Sequence, residues 1–151
     1  MKPMTQKEII RTLQKALQAE ISAIEMYTAH SKIIQDSGIV QAVQSIRDVE
    51  KGHAKALAKR IRTLNEAPVS QSEAATIASR ALGSTQVNTI DMLRLELAEE
   101  QNAIVDYANA IARIMEDETT LDLLEENLLD EIRHARWLKS QICILDKITK
   151  L

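Results

Sequence analysis

The chain has 151 residues and a formal net charge of −3, with three glycines, two prolines and one cysteine. This length fits one domain with a sizeable core, and the weak negative charge argues against a surface that binds nucleic acid. The sequence has no apolar run of membrane-spanning length and no signal-peptide pattern, and its single cysteine cannot form an internal disulfide. We therefore expect a cytoplasmic protein with no membrane partner.

Apolar residues recur every three or four positions through most of the chain, which indicates amphipathic helices. Thr5 and Glu8 form the pattern of a capping box at the first helix. Residues 65–88 form the one long connection, in which a short helix is expected to end at Gly83. The connections between the predicted helices are short, long and short in chain order. This order predicts an all-α four-helix bundle with one long crossover between helices 2 and 3. The four helices are expected at about residues 5–35, 39–64, 89–117 and 120–149.

Both halves of the chain carry the same polar pattern on the inward stripe of their helices. The first helix of each half has one inward glutamate, followed seven residues later by a tyrosine, Tyr27 or Tyr107. The second helix has a Glu-x-x-His motif, whose two side chains share one helix face. This repetition predicts a duplicated helical hairpin with a pseudo-twofold axis through a central site. The six inward residues are Glu20, Glu50, His53, Glu100, Glu131 and His134.

Four glutamates and two histidines at one level of a bundle core predict a pair of metal ions. Buried carboxylates without cations cost several kcal/mol each, and no inward lysine or arginine lies near them. Two divalent metals neutralise four carboxylates, and this ligand set is that of di-iron and di-manganese bundles. The donor atoms suit iron, with manganese as the alternative and zinc only as an adventitious occupant.

Residues next to the motifs predict how the ligands are supported. Asp130 directly precedes Glu131, and we expect it to orient His53 on the facing helix. The corresponding position in the first half is Val49, so the two metal positions should differ. Arg133 is expected to pair with Asp130 or with Asp48. Together with Tyr27 and Tyr107, each expected to hydrogen-bond a ligand glutamate, Asp130 completes the predicted set of supporting catalytic residues.

Several other residues receive structural interpretations. We expect His30 at the surface or the edge of the core, because no carboxylate precedes it by three residues. Glu96 and Glu99 fall outside the seven-residue repeat that contains Glu100. Cys143 is expected to be a buried, small apolar residue, and Trp137 to contribute packing.

The sequence resembles the ferritin-like di-iron carboxylate superfamily over nearly its whole length, and in particular bacterioferritin and rubrerythrin-type domains. The resemblance implies that the two Glu-x-x-His glutamates bridge the metals and that the two isolated glutamates are terminal ligands. It also implies that each histidine binds one metal. It rests on Glu20, Tyr27, Glu50, His53, Glu100, Glu131, His134 and Trp137.

Two positions depart from the patterns of these families. Lys51 stands where bacterioferritin has the methionine that ligates a haem, so no haem is expected. Ala103 stands where rubrerythrin has an additional glutamate. These departures leave the six predicted metal ligands untouched.

The function that this pattern favours is binding of Fe(II) and its oxidation by O2 or H2O2, as a ferroxidase or a peroxide-detoxifying enzyme. One alternative is an iron carrier without useful turnover. The other is a di-metal oxygenase acting on a small organic substrate, which open space near Ala23 and Ala103 would favour. An electron donor and a homodimer or larger homo-oligomer are the expected partners.

Overall fold

The computed structural model describes residues 1–70 and 88–151, which form four helices and no strand. This arrangement confirms the all-α prediction. The short helix that the sequence predicts before Gly83 lies outside the described residues. The helices are α1 (Gln6–Ile33), α2 (Ser37–Thr63), α3 (Thr89–Arg113) and α4 (Glu118–Thr149).

Side-chain caps fix the beginnings of the helices. The Thr5 hydroxyl accepts a hydrogen bond from the backbone N–H of Glu8 at 3.2 Å, and the Glu8 carboxylate accepts one from the Thr5 N–H at 2.7 Å, as the capping box predicts. Helix α3 ends earlier than expected, because the buried Ile114 turns the backbone to an extended conformation. The chain can then use Asp117 as the N-cap of α4, where it accepts from the backbone N–H of Thr120.

Contacts between side chains define the direction of each helix. Tyr27 reaches Glu100, and Tyr107 reaches Glu20, so α1 and α3 run antiparallel. The short turns make α2 antiparallel to α1, and α4 antiparallel to α3. Helices α2 and α3 are therefore parallel, and α2 ends at the opposite end of the bundle from the start of α3. This is the predicted topology with one crossover.

Two apolar clusters fill the bundle on either side of a polar layer. One cluster contains Leu13, Leu17, Leu57, Ile61 and Leu124 among its buried members. The other contains Val43, Met92, Leu93 and Leu138, with Trp137 packed against it as expected. Each fully buried aliphatic side chain contributes about 1.5–3 kcal/mol. The apolar clusters hold the four helices together and thereby fix the polar layer between them.

Cys143 is exposed, so the prediction that it is buried is wrong. It lies on α4 between Ile142 and Leu145, which are partly buried and pack against the second cluster. Residues directly adjacent on a helix do not share a face, and Cys143 falls on the solvent side. None of the described helices has the length and apolarity needed to cross a membrane.

Candidate metal centre

The six predicted ligands come together in the polar layer at the middle of the bundle. Each of the four helices contributes, because the inward stripe of each one reaches the same level. All six residues are buried, and the most exposed of them, His134, has 8% of its surface accessible. The layer therefore concentrates four carboxyl groups and two imidazoles away from water.

Donor atoms in this layer form two overlapping groups of four residues. One group contains Glu20, Glu50, His53 and Glu131, and the other contains Glu50, Glu100, Glu131 and His134. Within each group, one donor atom per residue lies within 4.8 Å of all the others. Glu50 and Glu131 belong to both groups, so their carboxylates lie between the two positions.

Distances around the histidines describe the two positions. The Nδ1 atom of His53 lies 3.0 Å from Glu50 Oε2, 2.9 Å from Glu131 Oε1 and 3.3 Å from Glu20 Oε1. The Nδ1 atom of His134 lies 3.3 Å from Glu50 Oε1, and 3.5 Å from Oε1 of the α3 glutamate, Glu100. Each histidine thus faces one terminal glutamate and at least one shared glutamate.

Many of these buried atoms lack a hydrogen bond, although they lie close together. Neither histidine Nδ1 has a partner with hydrogen-bond geometry, and the same holds for both oxygens of Glu50 and for Oε1 of Glu131. Buried polar atoms are almost always hydrogen-bonded, so a cluster of exceptions requires an explanation. Carboxylate and imidazole donors of this kind fit iron or manganese, which would satisfy them together.

Burial and mutual repulsion separate the proton affinities of the glutamates. Burial raises the pKa of Glu131 to about 11, and it also raises the pKa of Glu50 well above its ordinary value. Burial acts in the same direction on Glu100, but the nearby His134 imidazole and the hydrogen bond from Tyr27 outweigh it and lower that pKa to about 2. The shared glutamates therefore carry protons in the metal-free protein, and a metal ion would displace them.

The expected contact between Asp130 and His53 is present. Oδ2 of Asp130 lies 2.9 Å from Nε2 of His53, and Arg133 Nη1 donates to Oδ1 of Asp130 at 3.0 Å. Asp130 thus binds the ring nitrogen that points away from the site. With a metal ion bound, Nε2–H would donate to the carboxylate and leave the Nδ1 lone pair for the ion.

The tyrosines cross between the two halves of the molecule. Tyr27 donates to Glu100 Oε1 and Tyr107 donates to Glu20 Oε1, each at 2.5 Å. The sequence analysis missed Asn127, which is buried and donates to the Tyr107 hydroxyl at 3.2 Å. Its position four residues before Glu131, on the same helix face, is the signal that could have identified it.

His30 and Glu96 form a buried pair, so the prediction that His30 lies at the surface or the edge of the core is wrong. Their exposed fractions are 1% and 0%, and His30 Nδ1 lies 2.7 Å from Glu96 Oε1. Glu96 precedes Glu100 by four residues, and His30 follows Tyr27 by three. Because α1 and α3 are antiparallel, the pair lies one helical turn beyond the contact between Tyr27 and Glu100.

An open cavity of about 700 Å³ lies between α1 and α3 and reaches the ligand glutamates. The space expected near Ala23 and Ala103 is therefore present, because small side chains line both helices at this level. Leu95 and Val105 on α3 lie along the cavity and are substantially exposed. Lys51, at the position where a haem ligand would stand, is exposed on α2.

Comparisons with known proteins agree with this geometry. Residues 10–148 match the family model described as a ferritin-like domain. The sequence is 30% identical to a bacterioferritin of Mycolicibacterium paratuberculosis over 146 residues, which is 93% of this chain and 87% of that protein. It is 31% identical to a bacterial ferritin of Synechocystis over 147 residues, which is 93% of this chain and 89% of that protein.

Solved structures show the same fold. The bacterioferritin-related protein from Bacteroides fragilis, described as a dodecameric thioferritin, superposes with a TM-score of 0.84 and 22% identity over 97% of this chain and 91% of that one. Bacterioferritin from Rhodobacter capsulatus was solved with a metal-free dinuclear site and haem iron. It superposes with a TM-score of 0.77 and 25% identity over 97% of this chain and 89% of that one. On its sequence, fold and ligand arrangement, this chain belongs to the ferritin-like di-iron carboxylate superfamily.

Proposed function

We propose that this protein binds two Fe(II) ions at the central layer and oxidises them with O2 or H2O2. The observation that carries the proposal is the pair of overlapping four-residue groups with unsatisfied histidine and glutamate atoms. The relatives named as bacterioferritins, one of them with a dinuclear site, support iron as the metal.

Each ligand has a distinct task in this proposal. Glu50 and Glu131, which belong to both groups, would be shared between the two metal ions, and Glu20 and Glu100 would each hold one ion. His53 and His134 provide their Nδ1 atoms. Four carboxylates balance the charge of two divalent ions, so deprotonation of the shared glutamates accompanies binding.

The two Fe(II) substrates supply two electrons, which with two protons reduce O2 to H2O2 or reduce H2O2 to two water molecules. The protein controls where the charges and protons are. Tyr27 and Tyr107 hold the terminal carboxylates by hydrogen bonds, and Asp130 holds His53. Apolar clusters on both sides of the layer shield the ligands from water along the bundle axis, and the cavity between α1 and α3 gives access from the side.

Anaerobic titration with Fe(II), followed by an O2 pulse, tests the proposal. We expect saturation at two ions per chain and a rapid rise in near-ultraviolet absorbance from Fe(III). Glu131→Gln should abolish both, whereas Glu126→Gln should change neither, because Glu126 is exposed on the same helix. Absence of stoichiometric binding in the wild type would refute the proposed centre.

Oxidation of excess Fe(II) separates an enzyme from a carrier. An enzyme should oxidise many ions per chain, and H2O2 in place of O2 should show which oxidant reacts faster. A carrier should bind two ions and oxidise no further ones. The ferroxidase or peroxidase assignment requires this turnover.

An oxygenase acting on a small organic substrate is a second candidate, and the cavity between α1 and α3 favours it. Its volume of about 700 Å³ falls in the range of small-molecule sites. The test supplies O2, a chemical reductant and a neutral aromatic such as toluene, and measures hydroxylated product by mass spectrometry. Ala103→Leu should remove product while leaving Fe(II) oxidation intact. Ala98→Leu, on the exposed side of α3, is the matched control.

We further propose that the protein forms a homodimer or a larger homo-oligomer and binds no haem. The dodecameric relative from Bacteroides fragilis supports assembly, and the exposed Lys51 supports the absence of haem. Sedimentation velocity measures the assembly. Titration with haem, followed by its Soret absorbance, should give no saturable binding.

A further inference from the structure

The two metal positions are related by the internal repeat, and this relation identifies where their surroundings differ. Glu20 and Glu100 occupy equivalent positions in α1 and α3, and the two Glu-x-x-His motifs do so in α2 and α4. By the same alignment, Asp130 corresponds to Val49. One half of the centre therefore has a carboxylate where the other has an aliphatic side chain.

The half built on Glu20 and His53 is held at both ligands. Asp130 binds Nε2 of His53 at 2.9 Å and is itself held by Arg133. At the other ligand, Tyr107 donates to Glu20 and accepts from Asn127, so its hydroxyl has a fixed orientation. Both side chains are thus oriented before a metal arrives, which lowers the cost of binding.

The half built on Glu100 and His134 lacks both supports. Val49 offers no hydrogen-bonding group, and within the described residues the ion-pair contacts of His134 all involve Nδ1. Ile46 occupies the position equivalent to Asn127, so Tyr27 receives no corresponding amide. An unsupported imidazole is a weaker ligand, since losing the outer partner of a metal-bound histidine costs about 10- to 100-fold in affinity.

We propose that the two positions fill in a fixed order, and that Asp130 is the positioning residue that sets it. The first ion binds tightly between Glu20 and His53. The second binds more weakly between Glu100 and His134. This inference rests on the proposed two-iron centre.

Anaerobic calorimetric titration with Fe(II) tests the order without any measurement of activity. The wild type should show two steps whose dissociation constants differ by about 10-fold or more. Glu100→Ala should leave the tight step, and Glu20→Ala should leave a single weak step. This pair of variants assigns each step to its position.

Substitutions at the two equivalent positions then test the role of Asp130. Asp130→Asn should raise the dissociation constant of the tight step by about 10- to 100-fold. The dissociation constant of the weak step should stay within a few-fold of its wild-type value. Asp122→Asn, exposed on the same helix, is the control. The double variant Val49→Asp/Asp130→Asn should reverse the order, so that Glu100→Ala in this background now leaves the weak step.

The outcomes separate this inference from the proposed function. If no Fe(II) binds, the two-iron centre itself is refuted. If two ions bind with equal affinity, or if Asp130→Asn leaves both steps unchanged, the order is refuted while the centre stands. A general loss of stability would weaken both steps and could not reverse their order. Reversal by Val49→Asp/Asp130→Asn would therefore support the role of Asp130.

Discussion

The two halves of the metal centre use the same ligands in different surroundings. Each half has a terminal glutamate, a crossing tyrosine and a Glu-x-x-His motif. Among residues 1–70 and 88–151, a carboxylate lies behind the histidine on the His53 side only. The Glu100 side instead has the buried pair of His30 and Glu96, where the repeat places Ala110 and Ala16 on the other side. Each metal ion needs the same set of ligands to neutralise its charge, so the ligands are the same in both halves. The residues behind the ligands are not constrained in this way, and their differences can give the two positions different affinities.

The largest effect should come from the residues that both halves share. Glu50→Ala/Glu131→Ala should abolish stoichiometric Fe(II) binding and rapid oxidation, because it removes both carboxylates that lie between the metal positions. Glu20→Ala or Glu100→Ala should each remove one ion. The double variant should remain folded, because both carboxyl groups are protonated in the metal-free protein and the apolar clusters on either side hold the bundle together. One ion retained per chain in the double variant would contradict the shared role.

The buried pair of His30 and Glu96 should make a large contribution to the free energy of unfolding. The equivalent positions on the other side of the centre, Ala110 and Ala16, cannot make it. His30→Leu leaves Glu96 buried without a partner, and breaking such a pair costs about 3–5 kcal/mol. Urea unfolding of the metal-free protein measures this loss. His30→Leu/Glu96→Leu should recover most of it, because no lone charge remains. If His30→Leu alone has no effect, the pair contributes nothing to stability.

The dependence of stability on pH should separate the shared glutamates from the terminal Glu100. Burial raises the folded-state pKa of Glu131 to about 11, above the ordinary value of 4.5, so the folded protein keeps a proton that the unfolded chain releases. Stability of the metal-free protein therefore falls as pH rises between these values, by up to about 1.4 kcal/mol per unit. Glu100, with its pKa lowered to about 2, adds no dependence above pH 5.

Urea unfolding between pH 5.5 and pH 8.5 checks this behaviour. Glu131→Gln should make the decline shallower, because the amide cannot ionise while Glu50 still can. Saturating Fe(II) should oppose the decline because metal binding favours the ionised ligands. A metal-free stability that rises with pH in this window would contradict the raised pKa of Glu131.

The smallest difference should separate the two tyrosines. Tyr107→Phe and Tyr27→Phe each remove a hydrogen bond to a buried carboxylate, at a cost of about 1.5–3 kcal/mol. Tyr107→Phe also leaves the Asn127 amide without its partner and should cost about 1 kcal/mol more. Asn127→Ile in the Tyr107→Phe background copies the Ile46 environment and should remove this excess. Equal losses for the two single variants would show that Asn127 adds nothing.

The sequence predicted the six clustered residues because each signal was local. Residues three or four apart on a helix share a face whatever the rest of the chain does, so the inward glutamates and Glu-x-x-His motifs could be recognised from spacing. The same rule did not identify His30 and Glu96 as a pair. They are 66 residues apart, and only the antiparallel packing of α1 on α3 makes them neighbours.

Periodicity and charge along the chain are enough to predict the four helices, the order of their connections and the six candidate metal ligands. Which side chains meet across helices follows from the packing of the bundle: Tyr27 with Glu100, Asn127 with Tyr107, His30 with Glu96. This packing also places Cys143 on the solvent side and opens the cavity beside Ala103. Such features depend on the direction and separation of packed helices, which the periodicity of a single helix does not specify.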